Sequence, residues 1–279
     1  MKSIFTLFIA FLTITTFAQK DFQGKATYMS KTSVDMDNFG GGQMSEQQKK
    51  QMMERMKNFL EKTYILSFNK NESSFKEEAK LDAPGTQGSR WGSSNGQGSI
   101  YKNLKERKII EDVEMFSKRF LIVEDMEQPK WELGTETKKI GNYTCYKATM
   151  IKVDKSVDFG SIFGRRGRGN QQEKDSTKAE EKEDVKTLEV TAWYTPQLPV
   201  SSGPDSYWGL PGLILELNAG RTTMLCTEIV LNPSDALEID KPTKGKEVTR
   251  DEYNVIIKEK TDELKERFQN NRGGGRGRF

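Results

Sequence analysis

The fold of this chain is decided by the stretch from Trp193 to Ile229, which reads WYTPQLPVSSGPDSYWGLPGLILELNAGRTTMLCTEI. Its first part mixes proline, serine and glycine with aromatic residues, and its second part is a dense apolar run. Proline fixes φ, and glycine supplies the conformations that tight loops need. Residues 196–212, which we call the elbow, are therefore predicted to form a rigid bend, with a type II turn centred on Pro211 and Gly212. The apolar residues that follow predict a buried hairpin of strands 213–217 and 222–231.

The hexapeptide GLPGLI at residues 209–214 is the name-giving motif of the GLPGLI family of exported bacterial proteins, and the chain resembles that family. The resemblance extends to WYTP at 193–196, LPVS at 198–201 and an upstream block at 131–149, and it covers about residues 25–231. It implies export and a β-rich fold. The role of the family is undefined, so the resemblance supplies no active site.

Residues 1–18 are predicted to be a signal peptide. Lys2 precedes an apolar run at 4–17, and Thr16-Phe17-Ala18 has the small residues that a cleavage site requires. The run is short for a bilayer span and contains three threonines, so cleavage after Ala18 is favoured over a membrane anchor. The predicted location is the periplasm, free or associated with the outer membrane.

The predicted fold class is α+β, mainly antiparallel β, with residues 19–270 forming one domain. Short evenly spaced β-favouring segments at 99–104, 108–115 and 118–124 predict a meander. A turn is expected at 138–142 and a further strand at 143–153, and we expect a curved open sheet that resembles a half-barrel. One or two helices, at 45–62 and 251–270, are expected to pack on it, the second on the outside, and Ser45 with Gln48 predicts a capping box at the start of the first. Hydrophobic residues make up only 34% of the chain, which favours flexible insertions at 81–98 and 154–185 and a Gly/Arg-rich tail at 271–279.

The composition limits the chemistry. The chain has no histidine, which excludes Ser-His-Asp and Cys-His nucleophiles and every His-ligated metal site. Its two cysteines form no CxxC pair. Methionines on the 45–62 helix could bind a soft metal, but their spacing is also what packing requires, and packing is favoured. We therefore predict no catalytic, metal or cofactor-binding residues.

The sequence motif and the predicted binding surface share one set of residues, all of which lie in or beside the elbow. Their aromatic members either line a surface for a ligand or plug the core, and the plug is favoured. The acid among them has turn capping as its ordinary role, and it is the first carboxylate to test for catalysis. The set is Trp193, Tyr194, Pro204, Asp205, Tyr207, Trp208, Gly209, Leu210, Pro211, Gly212, Leu213 and Ile214.

Two questions stay open at this stage. Cys145 and Cys226 could form a disulfide in an oxidising compartment, although a meander would hold their strands too far apart. The leading hypothesis for function is an exported, non-enzymatic binding or accessory protein. Its partner would be an outer-membrane protein or an apolar ligand in the concave face of the sheet, with peripheral membrane contact conceivable and nucleic acid excluded by export. The alternatives are a carboxylate-based hydrolase and a structural or adhesive envelope protein.

Overall fold

The computed structural model describes residues 22–34, 45–78, 97–153, 187–235 and 237–273. The predicted signal peptide, the insertion at 154–185, most of the insertion at 81–98 and most of the tail lie outside these residues. Gln97 already belongs to a strand, so the first insertion ends earlier than predicted. No helix within the described ranges has the length and apolar character needed to cross a membrane.

The described residues form twelve strands and two helices. The strands are β1 Gly24–Thr32, β2 Glu61–Phe68, β3 Glu72–Glu77, β4 Gln97–Asn103, β5 Lys108–Met115, β6 Lys118–Asp125, β7 Glu132–Ile140, β8 Tyr143–Val153, β9 Thr187–Thr195, β10 Leu213–Ala219, β11 Thr222–Leu231 and β12 Lys246–Val248; the helices are α1 Glu46–Leu60 and α2 Arg250–Gly273.

All twelve strands belong to one open sheet with the order β12-β6-β5-β4-β3-β2-β1-β11-β10-β9-β8-β7. Strands β4 to β6 form the predicted meander, and β3 and β2 extend it. The first strand, β1, lies between β2 and β11 and so joins that meander to the strands on either side of the elbow. Every pairing is antiparallel except that of β12 with β6. The predicted class, mainly antiparallel β with an open sheet and two helices, is confirmed.

Two strands were not predicted, the short β12 and the longer β7. The sequence of β7, ELGTETKKI, is polar and does not alternate, and a turn was expected from residue 138 to 142. That expectation is wrong for residues 138–140, which pair with β8. Because β7 is the last strand of the sheet, its side chains stay largely exposed, and no apolar pattern was needed to place it.

The face of the sheet that carries Ala26, Leu66, Phe75 and Ile100 is called the inner face. These four residues are partners in register across β1 to β4, so their side chains point to the same side, and all are buried. The elbow packs against this face, where its leucines join the same core cluster. The main core therefore lies between the inner face and an irregular loop.

Helix α2 also covers the inner face. Ile100 is in register with Glu111 and Glu111 with Ile122, and Ile122 contacts a core cluster that contains Tyr253 and Ile257 of the helix. The prediction that this helix lies outside the sheet is wrong. The elbow covers the centre of the inner face. The apolar side chains of β5 and β6 lie at one end of this face, beyond the elbow, and helix α2 covers them.

Helix α1 begins with the predicted capping box, in which Ser45 and Gln48 bond each other's backbone amides. Its apolar stripe is only half covered: Met52 and Met56 are partly buried, Phe59 is exposed, and no residue of the helix is fully buried. This helix is an accessory layer beside β1 and β2, and it contributes little to the core.

Candidate functional site

The elbow folds back on itself between β9 and β10. The N–H of Leu213 donates to the carbonyl of Leu198 at 3.0 Å, and the N–H of Ile214 donates to the carbonyl of Ser202 at 3.1 Å. A separate bridge joins Ser202 to Trp208. The proline-rich sequence thus forms a compact structure with some strand-like pairing.

Gly212 is required by a close approach. A Cβ atom at this position would lie 2.2 Å from the carbonyl oxygen of Thr195, which is inside van der Waals contact. The backbone of Gly212 does not have a positive φ, so the predicted type II turn is wrong. The positive φ, +93°, belongs to Gly209, where an added Cβ would also lie 2.9 Å from Pro129. Both motif glycines are thus needed, for different reasons.

Lys102 of β4 forms hydrogen bonds with the backbone of the elbow, which lies over the inner face of the sheet. Its ammonium group donates to the carbonyl oxygens of Gly203, Asp205 and Tyr207 at 2.7, 2.6 and 3.0 Å. The side chain is 1% exposed, and it lies on the inner face because Lys102 is in register with Ser73. An ammonium has three donors, and here each has an acceptor, so one side chain satisfies three buried carbonyls of an irregular loop.

Burial shifts the protonation of this lysine. Desolvation lowers the pKa of Lys102 from its usual 10.5 to about 7, helped by the nearby Lys152 and opposed by the Asp205 carboxylate. The three carbonyl acceptors favour the ammonium form and so also oppose the shift. Deprotonation would leave two donors for three carbonyls, so only the ammonium form can satisfy all three at once.

Other strands donate to the elbow and its exit. The hydroxyl of Tyr28 donates to the carbonyl of Ile214 at 2.7 Å, and the indole N–H of Trp131 donates to the carbonyl of Trp208 at 2.8 Å. Lys152 donates to the hydroxyl of Ser206 at 3.1 Å. Donors from β1, β8 and the start of β7 thus converge on the same loop, which fixes its position on the sheet.

The elbow aromatics are mostly buried. Tyr194, Tyr207 and Trp208 are 6%, 8% and 9% exposed, while Trp193 is partly buried with the ammonium of Lys138 at 4.3 Å from its ring centre. The neighbouring motif residues that are fully buried are Leu210, Leu213 and Ile214. This packing favours the plug over a ligand surface, because the side chains expected to line a binding site contact the sheet itself.

Asp205 takes part in a turn. Its φ is +54°, and its carboxylate accepts a hydrogen bond from the N–H of Ser206. Pro204 precedes it, and the carbonyl of Pro204 accepts from the N–H of Tyr207 at 3.2 Å. The side chain of Asp205 thus caps a turn amide, as its ordinary role would require.

Cys145 and Cys226 are free and buried. They lie in β8 and β11, which are separated in the sheet by β9 and β10. Burial raises the pKa of the Cys145 thiol to about 11 and that of the Cys226 thiol to about 12. Both thiols are therefore protonated and unreactive at neutral pH.

The adjacent acids of β5 point to opposite faces, as strand geometry requires. Glu111 forms an ion pair with Arg250 at the start of α2, and Asp112 forms one with Arg119. Burial raises the pKa of Glu111, and Arg250 opposes the rise. Across the described ranges, no cluster of three or more histidine, cysteine or acidic residues could hold a metal ion.

A polar pocket of about 390 Å³ lies at the β2–β3 and β4–β5 turns, and sequence reasoning did not find it. Its lining residues are Gln23, Asn69, Lys70, Asn71, Glu72, Asn103, Lys105 and Glu106. Two asparagines organise it: the side-chain oxygen of Asn69 accepts from the amides of Asn71 and Glu72, and that of Asn103 accepts from the amides of Lys105 and Glu106. An asparagine at the start of each turn was the available signal.

Comparison with known proteins gives a family match and a distant structural likeness. Residues 131–216, which contain β7 to β9, the whole elbow and the start of β10, match a family model described as "Protein of unknown function (Porph_ging)". No curated protein matches the chain. The match agrees with the expectation of a family whose biochemical role is undefined.

Two crystal forms of PNGF-II, in space groups P21 and C2, are similar to this chain at 14% identity, with TM-scores of 0.44 and 0.47. The alignments cover 81% and 85% of this chain and 32% of each PNGF-II chain, so this chain spans about a third of their length.

Proposed function

We propose that this protein is a GLPGLI-family member that is exported, has no enzymatic activity, and binds an extended segment of an envelope protein along β7. The observation that carries the proposal is the position of β7 at the end of the sheet. It pairs with β8 on one side, and within the described residues its other side has no partner strand. A free edge presents unpaired N–H and C=O groups, which are the template for strand addition.

The regular part of β7 offers the better template. The pairing of β7 with β8 is irregular between Leu133 and Thr137, whereas residues 137–140 pair without interruption. Thr137 and Lys139 are exposed. A partner strand added beside residues 137–140 would extend a hydrogen-bonded ladder that is already regular.

The packing of the elbow favours a protein partner over an apolar ligand. The inner face, where an apolar ligand was expected, is covered by Leu198, Leu210 and Tyr207, which are at most 8% exposed. A ligand there would have to displace a loop that is held by Lys102. An edge strand requires no such displacement.

The hydrolase alternative has one supporting observation. Glu72 and Glu106 line the same pocket, and two carboxylates that face one cavity are what acid–base hydrolysis needs. Glu106 also forms an ion pair with Lys241 at 3.5 Å, and Glu72 accepts two side-chain hydrogen bonds. Both acids thus have structural contacts, and we rank hydrolysis second. Turnover of any substrate that is abolished by Glu106→Gln in a folded protein would reverse this ranking.

Site-specific photo-crosslinking in intact cells tests the binding proposal. A photoreactive residue at Thr137 is compared with one at Thr223, an exposed threonine of β11 that pairs with Lys31 of β1 and Asn218 of β10. We expect a defined envelope protein to crosslink from position 137 and not from 223. Equal crosslinking from both positions, or none from 137 in exported protein, would overturn the proposal.

Export is tested separately by fractionation and N-terminal sequencing of the mature protein. We expect the mature chain to begin at Gln19 and to be recovered with the periplasm or outer membrane. Recovery in the cytoplasm with Met1 retained would refute the export half of the proposal and leave the binding edge to be judged alone.

A further inference from the structure

The polar pocket at the β2–β3 and β4–β5 turns contains a carboxylate that is held in a fixed position. The hydroxyl of Tyr101 and the side-chain amide of Asn103 both donate to the same oxygen, Oε1, of Glu72, the amide at 3.1 Å. Burial raises the pKa of Tyr101 to about 12, so its hydroxyl remains a donor at neutral pH. Glu72 Oε1 is thus anchored on the sheet, and Glu72 is one of the residues that line the pocket.

The turns that carry the pocket's lysines are fixed as well. Asn103 is 6% exposed, and it holds the β4–β5 turn by accepting from the amides of Lys105 and Glu106 at 3.0 and 2.8 Å. The N–H of Leu104 donates to the carbonyl of Asn71 at 2.8 Å, which joins this turn to the β2–β3 turn. Lys70 and Lys105 therefore lie on two neighbouring turns of defined geometry.

The charges around the pocket are only partly compensated by the protein. Glu106 pairs with Lys241 at 3.5 Å. Among the described residues, no ion pair is formed by Glu72, Lys70 or Lys105. The pocket lining thus combines the anchored Glu72 and the Lys241-paired Glu106 with two cations, and its volume is at the lower end of the range for small-molecule sites.

We propose that this pocket binds a small zwitterionic molecule, a free α-amino acid or a dipeptide. The ammonium of the ligand pairs with the Glu72 carboxylate, and its carboxylate lies between Lys70 and Lys105. The amides of Asn71 and Gln23 complete the polar lining. This site is remote from β7 in the strand order and does not depend on the proposed partner edge.

Isothermal titration of the full mature chain tests the proposal. The probes are the free L-amino acids one by one and glycylglycine, with N-acetylglycinamide as an uncharged control. We expect saturable binding of at least one zwitterion and none of the control. Glu72→Gln keeps the acceptor for Tyr101 and should weaken binding about tenfold or more, since a charge-assisted bond is lost.

Lys105→Met, at an exposed turn position, should weaken binding of the same ligand without disturbing the fold, and Glu189→Gln, at an exposed position of β9, serves as the matched control with unchanged affinity. Failure of every zwitterion to bind folded protein would overturn the proposal. Affinity unchanged by both Glu72→Gln and Lys105→Met would also overturn it, and so would equal affinity for ethylamine, which would show a cation site only.

Discussion

The elbow and helix α2 cover the same face of the sheet, but their backbones obtain hydrogen bonds from different sources. A helix bonds its own N–H and C=O groups, so α2 needs only a stripe of side chains such as Tyr253 and Ile257 to pack on β5 and β6. The elbow has no regular ladder of its own. Its carbonyls are bonded by Lys102, Trp131 and a few internal amides. An irregular loop can therefore be buried only where neighbouring strands supply donors, and single substitutions beneath it should be costly.

The largest effect is expected at Gly212. Gly212→Ala places a Cβ atom 2.2 Å from the carbonyl oxygen of Thr195. The Cβ position is fixed by the backbone of residue 212 and the oxygen belongs to the backbone of Thr195, so the clash is relieved only by moving the elbow. We expect the free energy of unfolding to fall by more than about 3 kcal/mol, measured by urea denaturation. Gly141→Ala is the control: it has φ +56° but no atom within 4 Å, and it should lose only about 1–2 kcal/mol. Equal losses would show that the close approach is not what matters.

Removal of the lysine beneath the elbow should have the next largest effect. Lys102→Met keeps most of the side-chain volume but leaves the carbonyls of Gly203, Asp205 and Tyr207 without a donor. Unsatisfied buried carbonyls outweigh the relief of the buried charge, and we expect a loss of about 2–4 kcal/mol in the free energy of unfolding. Lys76→Met, on the exposed side of the adjacent β3, should change it by less than about 0.5 kcal/mol. A neutral or stabilised Lys102→Met protein would contradict this account of the elbow.

The same lysine should give the protein a pH-dependent stability. Its pKa is about 7 in the folded protein and 10.5 in the unfolded chain, so between these values the unfolded chain binds more protons. Stability therefore rises with pH in this window, by up to about 1.4 kcal/mol per pH unit. The measurement is the difference between wild type and Lys102→Met from pH 7 to 8.5, a range below the titration of the buried thiols and tyrosines. A flat difference would mean that the carbonyl acceptors hold the pKa near its ordinary value.

The smallest effect is expected at the start of α2. Thr249 and Glu252 form a capping box, in which the hydroxyl of Thr249 accepts from the N–H of Glu252 at 3.2 Å. Thr249→Ala should reduce the free energy of unfolding by about 1 kcal/mol, the usual value of an N-cap, because the rest of the helix remains self-bonded. Chemical denaturation alongside Thr137→Ala, at an exposed position of edge strand β7, checks it. A loss as large as that of Lys102→Met would mean that helix α2 depends on a single hydrogen-bonding side chain as strongly as the elbow does.

Local pattern predicted the elements whose signals are local. The strand at Tyr143–Val153 has the predicted bounds, as does Lys108–Met115, and the capping box of α1 involves the predicted residues. Edge strand β7 was missed because an edge needs no apolar alternation. The pocket was missed because it joins two turns that are separated along the chain and are adjacent only through the pairing of β3 with β4.

The sequence by itself determined the resemblance to a family, the class of fold, and the place of the bend between two strands, since proline, glycine and apolar periodicity act over a few residues. Tertiary structure alone decided that Lys102 faces inward. Its neighbours Tyr101 and Asn103 also have side chains that end in polar groups, and nothing in the sequence pattern distinguishes a buried lysine from a solvated one. The reason is physical: the acceptors that make burial of its ammonium tolerable lie about a hundred residues away, at 203, 205 and 207, and only the folded sheet brings them together.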